Sequence, residues 1–416
     1  MKKVIAEIIS IGDELLNGQT INTNASWIAF ELDAIGIKTN RIVTISDTKE
    51  AIKLSLVNAT KRADLVILTG GLGPTKDDIT KKTIADFFNS PLVQNKAHLE
   101  ALTQFFFLKG REMNELNKAQ ADIPLCAKRI PNDNGTAPGM WIEDSDTIYI
   151  SMAGVPREMK LMMTTYLLPQ IASYFNTPII KHHFTHIIGI GESDLSLLIE
   201  DWENQLPSHL KLAYLPSLGW IKLRLSALGD DQKKIELEIE EQLVKLRKII
   251  PQYIFSENKE TLEVALGRIL KEKKLTIGTA ESCTGGYIAH QITSVPGSSA
   301  YFKGSVISYS NEIKLSELNV KQTTLNEYGA VSEQTVKEMA EGLRNKLNVD
   351  IAIACSGIAG PDGGTEEKPV GTVWIAYADK SQTITKLLQL SSDRLTNIEL
   401  TSLSTMNLVR KTLSPA

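Results

Sequence analysis

The chain has 416 residues, with 45 Lys and Arg against 49 Asp and Glu for a formal charge of −4, and is 42% hydrophobic, 23% charged and 6% aromatic. At about 150 residues per domain this predicts two or three domains of ordinary globular composition, and excludes disordered and fibrous classes. The charge balance gives no footprint for nucleic acid, no apolar run approaches the roughly 18 residues of a membrane span, and three scattered cysteines (Cys126, Cys283, Cys355) suit a reducing compartment.

Lys2-Lys3-Val4-Ile5 has the look of a signal-peptide start, but Glu7 and Gly12-Asp13-Glu14 interrupt any apolar segment, so the expectation is a cytoplasmic protein. Residues 4–11 and 64–69 read as short buried strands, apolar at nearly consecutive positions and followed by glycine. A helix is expected from Asn24 to Ile35, stopped by Gly36, then a strand over 37–45 and a helix capped by Asp47 or Thr48. This alternation predicts a parallel, doubly wound sheet that continues to a strand at 147–152 and a helix over 156–174. The first domain is set at 1–172.

Residues 173–256 form a smaller α+β unit: a strand at 182–188, extended stretches at 211–215 and 220–228, and an amphipathic helix at 231–250. Within 178–255, nine Lys and Arg face eleven Asp and Glu, which favours a spacer or dimerisation module over a nucleic-acid binder. His182-His183-x-x-His186 lacks the zincin glutamate and sits in strand, where 182 and 186 share a face and 183 does not. A third domain, 257–416, begins with a helix at 259–273 and a strand at 275–279. Further elements follow: a helix at 332–347, strands at 350–355 and 370–378, and a helix at 395–413.

Two turns carry chemistry. Thr69-Gly70-Gly71-Leu72-Gly73-Pro74-Thr75-Lys76-Asp77-Asp78 joins a buried strand to a helix. Its glycines let backbone N–H groups approach an anion, and ligands of open α/β sheets sit beyond the carboxyl ends of strands. Asp77 and Asp78 are hard oxygen donors suited to a divalent metal. Glu14, Asp13 and Asp47 end neighbouring strands. The same Thr75, Asp77 and Asp78 are also what a helix cap and its dipole require. The spacing is neither a Walker A loop nor Gly-x-Gly-x-x-Gly.

Ala280-Glu281-Ser282-Cys283-Thr284-Gly285-Gly286 is the second turn. A hydroxyl there can act as a nucleophile beside its oxyanion donors, or can help hold a phosphate. No histidine is placed to serve it, so a lysine or tyrosine is the candidate base, and Tyr309 and Lys314 are expected at the mouth of the same sheet. Cys283 is the rival nucleophile, whereas Cys355 reads as core packing and Cys126 as incidental.

Gly12-Asp13-Glu14-Leu15-Leu16, Asn22-Thr23-Asn24, Gly70 to Asp78, Asn132 to Gly139 and Gly154-Val155-Pro156-Arg157-Glu158-Met159 resemble the competence/damage-inducible CinA family over essentially the whole chain. The resemblance implies an N-terminal domain similar to the molybdopterin-binding fold. It further implies ADP-ribose pyrophosphatase activity that yields AMP and ribose 5-phosphate with a divalent metal, Mg2+ or Co2+, and K+ as a further ion. Asp77, Asp78 and Glu14 would serve the metal, with Asp78 also catalytic, and Gly70, Gly71, Gly73, Thr75 and Asn24 would bind substrate. Ala153 stands where the family has proline.

The third domain resembles the family's nicotinamide mononucleotide deamidase through the Ser282 turn, Gly304 to Tyr309, Asn311 with Lys314, Gly329 to Ser332, Gly357 to Gly364 and Lys368 to Val373. That resemblance implies Ser282 as nucleophile, with Tyr309 and Lys314 as its activating partners. Thr284, Gly285, Gly286, Asn311, Gly357 and Gly360 would bind substrate, with no cofactor. Ser356 stands in place of the family's threonine, and Asp362 in place of a glycine. The expected ligands are therefore small-molecule nucleotides, with no direct nucleic acid or membrane partner, and the expected assembly is a homodimer. Two other functions fit the family: a pterin-binding module without hydrolysis, and an adaptor in competence or DNA-damage responses.

Overall fold

The computed structural model describes residues 4–75, 78–229, 231–258 and 260–414. The chain up to Lys181, with Leu228–Ile235, forms one compact unit; His182–Ala227 and the chain from Glu236 onward form another.

The N-terminal unit contains strands β1 (Ile5–Ile11), β2 (Lys38–Ile45), β3 (Leu65–Thr69), β4 (Leu92–Gln94), β5 (Asp122–Pro124), β6 (Lys128–Ile130), β7 (Gly139–Asp144) and β8 (Thr147–Met152). Six of them form one sheet in the order β2-β1-β3-β8-β7-β6, and β4 pairs with β5. Successive β1 side chains go to opposite faces. Ala6 and Ile8 pack with Ala25, Ile28 and Leu32 of the helix Thr23–Ala34, whereas Ile9 and Ile11 pack with Ile52, Leu56 and Ile84. Burial on both faces explains why these strands read as continuous apolar runs.

β2, β1, β3 and β8 are parallel, as the alternation of elements predicts. β7 and β6 are antiparallel additions that the sequence reading lacks. Only Ser145 and Asp146 separate β7 from β8, and so short a link can join only antiparallel neighbours. The helix expected over 156–174 is Pro156–Met162 and Leu168–Phe175, joined by a widened turn at Met163–Leu167. Pro169, which has no N–H to donate, accounts for that widening.

The small sheet that follows contains β9 (Ile179–Ile188), β10 (Leu210–Ser217), β11 (Trp220–Gly229) and β12 (Ile254–Ser256), in the order β10-β11-β9-β12. Leu195, Ile199 and Trp202 of the helix Glu192–Asn204 pack on Ile187, Ile221 and Leu223. His186 donates through Nδ1 to the Glu260 carbonyl at 3.0 Å and lies against the Trp220 and Phe255 rings. These are contacts of a packed core.

The C-terminal sheet, in the order β14-β13-β15-β16-β17, contains β13 (Ile277–Glu281), β14 (Phe302–Ile307), β15 (Ile351–Gly357), β16 (Thr372–Ala378) and β17 (Thr383–Gln389). β14, β13 and β15 are parallel, and the last two strands are antiparallel. β13 begins two residues later than the sequence suggests. The preceding helix, Leu262–Glu272, closes when Leu275 N–H bonds the Leu270 carbonyl while Lys274 takes a left-handed φ of 56°. The strand therefore runs through Glu281 and delivers Ser282 at its carboxyl end.

Candidate active sites

In the first unit, the carboxyl ends of β1, β3 and β8 open into a cleft of about 470 Å³. Glu14, Asn24, Gly70, Gly71, Gly73 and Asp78, all singled out from the sequence, line it together with Asp47, Thr136, Gly154 and Glu158. Gly70 has φ 113° and lies against the Ile11 carbonyl; Gly71 has φ 65° and lies against the Thr80 hydroxyl. A side chain at either position would collide, so the turn requires glycine. Among the described residues, the N–H groups of Gly71, Leu72 and Gly73 go to no backbone carbonyl, which is the arrangement that receives an anion.

Asp78 is partly committed. Its Oδ2 accepts from the Thr75 N–H at 3.0 Å and from the Thr75 hydroxyl at 2.5 Å. Thr75 thus fixes Asp78 and is not itself among the cleft-lining residues. Glu158, which the sequence reading quoted only within a motif, accepts from Asn132 Nδ2 at 2.8 Å. Asn24 Nδ2 donates to the Gly154 carbonyl at 2.6 Å, tying the start of the helix Thr23–Ala34 to the turn after β8. Asp77 lies outside the described residues. No three His, Cys, Asp or Glu side chains among the described residues are grouped to hold a metal ion. Of the three expected metal ligands, Glu14 and Asp78 line the cleft and Asp77 is the one outside the described residues.

In the C-terminal sheet, Lys314 is 1% exposed, and its Nζ lies 3.1 Å from Ser282 Oγ and 2.6 Å from the Ser308 carbonyl oxygen. Lys314 is the fourth residue of the helix Asn311–Leu318, capped by the Ser310 side chain. A helical side chain leans toward its N-terminus, which carries the amine back to the strand ends. Burial lowers the Lys314 pKa from its ordinary 10.5. The Ser308 carbonyl can only accept, so it takes one amine hydrogen. In the neutral amine this leaves the lone pair for the Ser282 hydroxyl proton.

Tyr309 is not brought to this pair. It is 62% exposed, and its hydroxyl accepts from Arg394 Nη2 at 3.0 Å. Ser308 is fully buried, and in extended chain the next side chain points the opposite way. Arg394 also donates through Nη1 to the Gly360 carbonyl at 2.9 Å, and Asn397, one turn further on, donates to the Ala359 carbonyl at 2.9 Å. The N-terminus of the helix Arg394–Leu413 is thereby fastened to the Gly357–Gly364 loop beside Tyr309. The sequence reading missed Arg394, and nothing in its local pattern marks it.

The Thr284 hydroxyl and the Gly286 N–H are taken up inside the turn and do not face the site as the resemblance implies. Glu281, completely buried, accepts five hydrogen bonds: from the Thr279 and Thr284 hydroxyls and from the N–H groups of Gly286, Ile288 and Ala289. This carboxylate occupies the N-terminus of the helix Tyr287–Thr293, so Gly286 has no N–H left for a substrate. Gly285 has open space beside it, and the N–H groups of Cys283 and Thr284 go to no described backbone carbonyl. Asn311 is exposed at the start of its helix, and Gly357 is pressed against Val373. Cys283 is buried, and its hydrogen bond to Cys355, with burial, pushes its thiol pKa up, which weakens it as a nucleophile.

The sheets and these two strand-end sites define a mixed α/β protein with a molybdopterin-binding-like first domain. Residues 7–173 match the family model "Probable molybdopterin binding domain", 182–256 the "Damage-inducible protein CinA KH domain", and 259–413 the "CinA C-terminal domain". The chain belongs to the CinA family. A CinA-like protein of Cytophaga hutchinsonii is 50% identical over 99% of this chain and 98% of its own length, and one of Flavobacterium psychrophilum is 47% identical over 90% of each. The crystal structure of competence/damage inducible protein CihA from Agrobacterium tumefaciens is 34% identical, covering 36% of this chain and 93% of that one, with a TM-score of 0.36. No helix among the described residues is long and apolar enough to cross a membrane.

Proposed function

We propose that the C-terminal site is an amidohydrolase that converts nicotinamide mononucleotide to nicotinate mononucleotide and ammonia. The observation that carries this reading is the buried Lys314 amine, 3.1 Å from Ser282 Oγ and depressed in basicity by burial. Neutral Lys314 takes the Ser282 proton as Oγ attacks the carboxamide carbon. The oxyanion that forms lies near the Cys283 and Thr284 N–H groups. Lys314 then passes its proton to the departing nitrogen, releasing ammonia and leaving an acyl ester on Ser282. Water, deprotonated by the same amine, hydrolyses the ester to the carboxylate and restores the serine. Arg394, beside Tyr309 and the Gly360 loop, supplies a cation for the nucleotide phosphate. The test is ammonia release from nicotinamide mononucleotide by the wild type and by Ser282→Ala. Release by the wild type alone supports the reading, and equal release by both removes it.

A second activity is proposed for the N-terminal cleft: hydrolysis of ADP-ribose to AMP and ribose 5-phosphate, in which water adds to one phosphorus and the diphosphate bridge breaks. Its support is the anion-receiving turn at Gly71–Gly73 within a cleft large enough for a nucleotide. AMP formation is to be measured with added Mg2+ or Co2+ and with a chelator, for the wild type and Asp78→Asn. Absence of AMP under every condition leaves a binding module, of which a pterin is the alternative ligand. The expected homodimer and cytoplasmic setting are part of the same proposal, and sedimentation of the purified chain tests the first.

A further inference from the structure

The N-terminal unit has a second, smaller pocket of about 200 Å³ against the helix Lys96–Leu108, and it shares no lining residue with the strand-end cleft. Asn95 caps this helix by accepting from the His98 N–H at 3.0 Å, which sets His98 in the first turn. Leu102, Phe105 and Leu108 follow His98 at helical spacing and form an apolar stripe along one pocket wall. His98 and Leu102 are buried, whereas Leu108, at the far end of the stripe, is exposed.

The facing wall carries charge. Ile130 of β6 packs into the core, so Arg129 before it projects from the other face of the strand. Arg129 Nε donates to His98 Nδ1 at 3.2 Å, and His98 Nε2 donates to the Thr136 carbonyl at 3.0 Å. Burial lowers the His98 pKa to about 4, so this neutral tautomer persists at pH 7 and holds the guanidinium by its Nε edge. Among the described residues, Arg129 Nη1 and Nη2 make no hydrogen bond or ion pair. Those two nitrogens form the fork that matches a carboxylate. Asp133 lines the same pocket; its Oδ2 accepts from the Tyr166 hydroxyl at 2.7 Å, and its Oδ1 is uncommitted among the described residues. Asn132, by contrast, is fully engaged with Ala137, Glu158 and Asn134. Two opposite charges thus line one small pocket without pairing with each other.

We propose that this pocket binds a free α-amino acid with an apolar side chain, its carboxylate on the Arg129 fork, its ammonium on Asp133 and its side chain along Phe105 and Leu108. The volume is below the roughly 300 Å³ at which drug-sized ligands begin to fit, so the occupant is a small molecule. A plain carboxylate would suit Arg129 but leave Asp133 facing an anion, and a plain amine would do the reverse. A zwitterion satisfies both charges at once, and the stripe on the helix receives its apolar part. The inference is independent of both proposed hydrolytic activities.

The experiment is a saturation-transfer NMR titration of the full chain at pH 7 with L-leucine and with three analogues that each lack one part of it. These are 4-methylpentanoate without the ammonium, 3-methylbutylamine without the carboxylate, and glycine without the side chain. Expected is saturable L-leucine binding that is tighter than that of any analogue. Arg129→Gln should weaken it at least about 10-fold, the size of a hydrogen-bonded charge contact. Asp133→Asn, at an exposed position, should weaken it about 3- to 10-fold. Failure of L-leucine to reach saturable binding overturns the proposal, as does an analogue that binds as tightly as L-leucine, or wild-type affinity in either variant. The analogue series needs only the wild type, so it decides the matter even where a thermal melt shows that Arg129→Gln, without its hold on His98, does not fold.

Discussion

Replacing Lys314 with methionine tests the C-terminal chemistry most directly, because its structural cost and its catalytic cost differ in size. The amine makes two contacts, to Ser282 Oγ at 3.1 Å and to the Ser308 carbonyl at 2.6 Å. Methionine fills a similar volume and leaves the buried Ser308 carbonyl unsatisfied, a penalty of about 1–3 kcal/mol. Removing a cation that burial disfavours offsets part of it. At about 2–4 °C per kcal/mol for a domain of this size, the melting temperature should fall by no more than about 10 °C. Loss of a positioned base should lower ammonia release by about 100- to 10,000-fold.

The pH dependence carries the sign. Activity requires the neutral amine, so it rises with pH through the Lys314 pKa, and burial places that limb below the ordinary 10.5. Lys314→Arg, which cannot lose its proton at accessible pH, should be inactive although it keeps the charge. A folded Lys314→Met that retains more than about a tenth of the wild-type rate, with the same acid limb, would refute the assignment.

Cys283→Ala should retain ammonia release of the wild-type order while Ser282→Ala loses it; the reverse pattern would move the nucleophile to the thiol. Glu281→Gln keeps the shape of a buried side chain but points an NH2 group at donors that now share two carboxylate oxygens. It should destabilise the C-terminal domain by roughly 2–4 kcal/mol, read by chemical denaturation, and an unchanged midpoint would show the carboxylate is dispensable. His98 is 2% exposed, and burial lowers its pKa from 6.5 to about 4. A depressed histidine is neutral in the fold, so its contribution is present above pH 6.5 and is lost as pH falls toward 4. The difference amounts to roughly 3 kcal/mol. Urea midpoints at pH 7 and pH 4 should differ by this extra amount in the wild type relative to His98→Gln.

What the sequence disclosed follows the range of the interactions involved. β1 and β3 were legible because both faces are buried and their residues are apolar without alternation. The contact of Lys314 with Ser282 was foreseeable from two local facts, a turn after one strand and a helix start after the next. β6 has three residues and little apolar signal, so the antiparallel edge was not legible. The glycines of the first cleft, with Glu14 and Asp78, could be placed on one sheet edge from the strand pattern, whereas Asn24 entered only through the family resemblance. The hold of Asn132 on Glu158 depends on where two separate loops arrive, and no local pattern encodes it. Arg394 reaches Tyr309 across 85 residues of sequence for the same reason.

Glu281 shows how a local motif can mislead. A glycine turn opening a helix reads as an anion site because its first N–H groups are normally unpaired. Here Glu281, the residue preceding Ser282, turns its own carboxylate into that position and consumes the donors at Gly286, Ile288 and Ala289. The consequence is twofold. Ser282 is held on a turn braced by five hydrogen bonds, so its direction toward Lys314 is set before substrate arrives. A nucleotide phosphate, meanwhile, would meet a filled helix end with a carboxylate behind it. On the proposed deamidase reading, the phosphate is better received where Tyr309, Arg394 and the Gly360 loop meet, beside the Arg394 guanidinium. On that reading, the nucleophile and the anion are held by different elements of the sheet edge, and only the first is encoded next to the serine.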